Sequence, residues 1–124
     1  MTKQEKRIAD LSAAFEKAKK YAELYANSED DGSCNLDSPT IYYKKSGDPE
    51  KLGKSSELTA HDVEKAATAA GVRVWRWTLW KSSVYVVNWS GMKGQANRRS
   101  RMAEAFCEML KMSGYGAGLF CQAD

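Results

Sequence analysis

The chain has 124 residues, a mass of 13.8 kDa and a formal net charge of +3, long enough for one domain with a buried core and no need of staples. Its 43% apolar and 28% charged residues are ordinary for a soluble globular protein. No run approaches the roughly 18 apolar residues of a membrane span, and the charged opening "MTKQEKRIADLSAAFEKAKK" lacks the apolar stretch of a secretory signal. A cytoplasmic protein, in a bacterial host or a phage-infected cell, is the expectation.

The charge is unevenly spread. Residues 1–71 hold 11 Lys and Arg against 13 Asp and Glu, whereas residues 72–124 hold 8 against 3. Five of the six arginines lie in that second part. Guanidinium forks suit phosphates and carboxylates, so the basic half is a candidate contact surface for an anionic partner.

In chain order, Ile8, Leu11, Phe15, Ala18, Ala22 and Tyr25 recur every three or four residues and predict an amphipathic helix within residues 1–27. Its stripe is suited either to packing inside this chain or to pairing with a second copy. "SEDDGS" (28–33) reads as a turn; it resembles part of a calcium loop but has Ser38 where the closing Glu belongs, which excludes that metal site. Residues 34–43 read as a strand that Pro39 restricts to an edge or a bulge. "KKSGDPEKLGKSSE" (44–57) reads as an exposed, lysine-rich loop.

A second helix follows, with Thr59 and Asp62 as a capping box, Gly71 as its stop, and Val63, Ala66, Ala67 and Ala70 as its inner face. "VRVWRWTLW" (72–80) and "SVYVVNW" (83–89) predict a hairpin. One residue of slip exchanges the two faces of a strand, so the sequence does not say which aromatics are buried. The third helix is expected from Gln95 to Met112 with Met102, Phe106, Met109 and Leu110 inward, and residues 118–124 as a final strand. The whole is an α+β fold: an N-terminal helix, then residues 34–124 as a ferredoxin-like βαββαβ unit with a four-stranded antiparallel sheet, all in a single domain over 1–124.

Few residues form a reactive constellation. Cys34, Cys107 and Cys121 have no CxxC spacing and read as reduced thiols, and the lone His61 reads as a surface residue. No phosphate loop, nucleophile elbow or metalloprotease motif is present, so neither catalytic residue, metal nor cofactor is assigned, and the chain is read as a non-enzyme. The strongest candidate site is "GMKGQANRRSR" (91–101). Three arginines crowd the start of a helix, where the dipole disfavours cations and a bound anion would relieve them. Lys93, Gln95, Asn97, Arg98, Arg99 and Arg101, joined by Arg73 and Arg76, are the candidate anion or nucleic-acid contacts. Trp75, Trp77, Trp80, Tyr85 and Trp89 are candidates for base stacking or for a protein partner. The third strand lacks the glycine and two aromatics of an RNA-recognition signature.

At "DGSCNLDSP", "GQANRRSRMAEAF" and "CQAD", from about residue 28 onward, the chain resembles small uncharacterised proteins encoded by phages and prophages of gut Firmicutes. The resemblance implies an accessory protein of a mobile element, a class that includes anti-CRISPR inhibitors of nucleases. Three readings result: a non-enzymatic binding protein contacting nucleic acid or a nucleoprotein complex, a protein-interaction or homodimer module using the N-terminal helix, and, third, a small enzyme.

Overall fold

The computed structural model describes residues 1–25, 36–46, 51–79, 82–89 and 96–122. The elements are α1 (Lys3–Glu23), β1 (Leu36–Ile41), a 3-10 helix (Lys54–Glu57), α2 (Ala60–Ala70), β2 (Arg73–Leu79), β3 (Ser82–Asn88), α3 (Ala96–Met112) and β4 (Ala117–Gln122). The four strands form one antiparallel sheet in the order β2-β3-β1-β4.

Both early helices start on a capping box. Thr2 Oγ1 accepts from the Glu5 amide at 3.0 Å while the Glu5 carboxylate accepts from the Thr2 amide at 3.1 Å; Thr59 and Asp62 repeat the exchange at 3.1 Å each way. Each such cap contributes about 1 kcal/mol. Gly71 ends α2 at φ 73°, a left-handed conformation that glycine adopts without strain. β2 and β3 pair from Arg73↔Asn88 to Leu79↔Ser82, so two residues connect them.

Pro39 is not on an edge: β1 is interior, between β3 and β4. The reason is visible in the ladders. The Tyr42 amide donates to the Gly116 carbonyl next to β4, and alternation then turns the Pro39 nitrogen toward β3. The β1–β3 register holds only Thr40↔Val86 and Ile41↔Tyr85, whereas β1–β4 pairs six residues. The missing N–H therefore faces the side where the ladder has already ended.

One face of the sheet carries all three helices. Ile41, Tyr43, Tyr85, Val87 and Ala117 point to it and join a continuous core with Leu11, Phe15, Val63, Met102, Phe106 and Leu110. Phe106 stacks on Trp89 at 4.8 Å and on Phe15 at 6.2 Å between ring centroids, tying β3, α3 and α1 together. The apolar stripe of α1 is spent inside the chain: α1 packs against both α2 and α3 and makes its main contacts with them rather than with the sheet.

Residues 51–57 depart from the expected exposed loop. Leu52, Ser55 and Leu58 are buried, Gly53 bridges Tyr115, and the Gly116 amide donates to the Leu52 carbonyl at 2.9 Å. A Cβ on Gly116 would lie 2.4 Å from the Lys51 carbonyl oxygen, so only glycine lets these two backbones meet. The signal was hidden because a run of Lys, Gly and Ser says nothing of what packs on it.

Candidate functional site

The second face of the sheet carries no described helix. Strand alternation places Arg73, Trp75 and Trp77 of β2 there, with Val86 of β3, Thr40 of β1, Tyr42 just beyond it, and Gly118 and Phe120 of β4, because directly opposed residues share a face. Trp75 is 43% and Trp77 44% exposed. Val74, on the alternate face, packs on the core instead.

Hydrophobicity alone would turn β2 over, hiding two tryptophans and showing Val74, Arg76 and Thr78. The observed choice follows from β2 being an edge strand: the helices cover it only in part, and Arg76 and Thr78 stay exposed even on the helical side. Two half-exposed indoles side by side are an uncommon surface for a chain of this size.

The aromatic face is concave. β2 and β4 are opposite edges, three strand steps apart, or about 14 Å on a flat sheet, yet the rings of Trp77 and Phe120 meet with centroids 5.0 Å apart. The right-handed twist of a sheet lifts one diagonal pair of corners toward a given face, and these two residues stand at such corners. Val86 and Thr40, in the middle of the face, are buried. Tyr42 folds over Gly118, whose Cβ would lie 2.9 Å from the Tyr42 hydroxyl. A shallow depression of about 370 Å³ remains among Thr40, Tyr42, Trp77, Val84 and Phe120.

The aromatic candidates divide. Trp75 and Trp77 share the open face, whereas Tyr85 and Trp89 are buried on the helical side at 3% and 5% exposure and present no stacking surface. Burial and the neighbouring Glu64 push the Tyr85 phenol up, while Arg76 pulls it down. Trp80 lies outside the described residues. Phe120 and Tyr42 belong to the face but carried no distinguishing signal, since only the register places them beside β2.

The basic candidates divide as well. Arg73 stands with the tryptophans; Arg76, opposite Tyr85, stands on the other face. Arg101 is exposed and pairs with Glu104 at 3.5 Å. Asn97, Arg98 and Arg99 fall in the opening of α3. Lys93 and Gln95 lie outside the described residues. The chain leaves the sheet at Asn88, opposite Arg73, and re-enters regular structure at Ala96.

Cys107 is buried, and burial pushes its thiol up, away from nucleophilic use. Among the described residues no group of three or more His, Cys, Asp or Glu gathers as a metal site, and no helix is long and apolar enough to cross a membrane. Comparison with protein-family models, curated proteins and solved structures gives no match.

Proposed function

We propose that this chain is a non-enzymatic binding protein that holds single-stranded nucleic acid, free or within a nucleoprotein complex, on the open face of its sheet. The fold underneath is read as a ferredoxin-like βαββαβ unit, supported by the chain order β1-α2-β2-β3-α3-β4 and the sheet order β2-β3-β1-β4.

One observation carries the reading: Trp75 and Trp77 stand exposed on one face, two residues apart, with Arg73 the next residue in that row. Neighbouring side chains on one face of a strand are about 6.8 Å apart, twice the roughly 3.4 Å rise of a stacked duplex strand. Two bases reach both indoles only when unstacked, which selects a single strand over a duplex. Base–aromatic stacking contributes about 1–3 kcal/mol per base and tolerates any sequence. Arg73 supplies a phosphate contact on the face itself, and the arginines opening α3, on the helical side, reach the strand where it runs past the Arg73 end of the sheet. The accessory role in a phage or prophage, anti-CRISPR inhibition included, is part of the proposal and rests on the resemblance alone.

The test is fluorescence anisotropy of a labelled 12-nucleotide oligothymidylate against the matching duplex. The single strand binds more tightly, and affinity falls steeply with salt. Replacing Arg98, Arg99 and Arg101 together by Ala reduces both affinity and salt slope; an unchanged slope removes α3 from the site. Self-association without oligonucleotide binding, lost when Trp75 and Trp77 become Ala, establishes the protein-interaction alternative instead.

A further inference from the structure

On the helical side, away from the tryptophan face, a cleft of about 580 Å³ opens between the first turns of α1, the 3-10 helix and Tyr115. Lys3, Lys6, Arg7 and Lys54 line it, together with the carboxylates Asp10 and Glu57. Three of these cations lie in the first two turns of α1, where the helix dipole disfavours them. Asp10 relieves Lys6 through a pair at 3.5 Å.

Arg7 is held from behind. Its Nε donates at 3.1 Å to Asp62, a carboxylate with no solvent exposure, which also accepts from Gln4 at 3.3 Å and from the Thr59 amide at 3.1 Å. The two Nη groups of Arg7 have no partner among the described residues. The guanidinium is thus oriented in advance, with its fork free for an anion. From the other wall the Lys54 ammonium stands 5.7 Å from the Tyr115 ring centroid, and Lys3 has no partner among the described residues.

We propose that this cleft binds a small phosphorylated, hydroxyl-bearing molecule, a nucleotide or a sugar phosphate. The phosphoryl group sits on Arg7, Lys3 and Lys54, and the hydroxyls donate to Asp10 and Glu57. The two carboxylates disfavour a bare polyanion and suit a ligand that also brings donors. The volume falls in the range of small-molecule sites, about 300–1,000 Å³. The site is independent of the nucleic-acid reading, since neither tryptophan of the open face borders it.

Titration calorimetry of the full chain at low ionic strength decides it, with adenosine monophosphate, glucose 6-phosphate, inorganic phosphate and adenosine as probes. One of the two organic phosphates saturates a single site, whereas inorganic phosphate and adenosine bind at least tenfold more weakly. Changing Lys3 and Lys54 together to Gln raises Kd at least tenfold; changing the exposed Lys44 and Lys45 to Gln leaves it unaltered. The pair Arg7→Gln with Asp62→Asn, which leaves no unpaired buried charge, also loses binding while circular dichroism stays native. The proposal is overturned when neither organic phosphate saturates the wild-type protein at millimolar concentration. It is equally overturned when the Lys3/Lys54 variant binds as the wild type does, or when inorganic phosphate binds as tightly as both organic probes.

Discussion

Trp77 and Phe120 touch, with ring centroids 5.0 Å apart, although they belong to opposite edges of the sheet. The contact clamps the two edge strands across the open face. It gives the two exposed tryptophans different duties: Trp77 stabilises the sheet's curvature, while Trp75 makes no ring contact among the described residues.

Trp75→Ala is therefore expected to weaken oligonucleotide binding by about 1–3 kcal/mol, roughly 5- to 150-fold, with the urea midpoint nearly unchanged. Trp77→Ala costs a similar share of affinity and, in addition, about 1 kcal/mol of stability from the lost ring pair. Anisotropy and urea unfolding on the same two samples check this. Equal loss of stability in both variants would contradict the division of roles.

The Arg7–Asp62 pair joins α1 to the cap of α2. Removing Arg7 leaves a carboxylate buried without its cation, and Arg7→Ala is expected to cost about 2 kcal/mol. That is less than the 3–5 kcal/mol of fully buried pairs, because the Arg7 side chain is 30% exposed. Chemical denaturation at pH 7 measures the loss.

The same carboxyl makes stability pH-dependent. Burial pushes Asp62 up, but the Thr59 amide, Arg7 and Gln4 outweigh it and hold the group below the ordinary aspartate value. The ionised form thus stabilises the fold above about pH 4. That contribution fades as pH falls through the lowered value. Asp62→Asn is expected to be less stable at neutral pH and to show a flatter stability profile between pH 5 and pH 2, read from urea midpoints.

At the alkaline end Tyr115 acts in the opposite sense. Burial, then Asp10, pushes its phenol up to about 12. The neutral form is favoured in the folded chain, so stability is intact below the ordinary tyrosine value near 10 and is lost as pH rises toward 12. The loss is about 3 kcal/mol at most, and Tyr115→Phe removes that part of the alkaline slope. Urea midpoints from pH 9 to pH 12 for the two proteins test it; parallel slopes would refute the assignment.

Two glycines separate close approach from backbone conformation. Gly116→Ala drives a Cβ to 2.4 Å from the Lys51 carbonyl oxygen, forces the 51–57 segment away from residues 114–116 ahead of β4 and is expected to cost at least about 1–3 kcal/mol. At Gly71 the nearest atom to an added Cβ is Lys19 Nζ at 3.5 Å, so Gly71→Ala costs only the left-handed strain, about 1 kcal/mol. Thermal unfolding ranks the two; the reverse order would show that the segment yields easily.

The parts of this protein that depend on near neighbours in the chain are legible in the sequence. The stripe from Leu11 to Ala22, the Thr59–Asp62 box, the Gly71 stop and the hairpin of β2 and β3 rest on periods and caps acting over a few residues. The basic opening of α3 and the aromatic richness of β2 were legible as composition, but not as a surface. Tertiary structure alone decided which face of β2 meets solvent, since alternation groups Arg73, Trp75 and Trp77 without saying where the helices lie. It placed Pro39 in an interior strand, buried Leu52 and Ser55 in an apparent loop, and brought Arg7 to Asp62 across 55 residues. Each of these depends on which distant element fills the space beside a residue, and that is a property of the packed whole rather than of any local run.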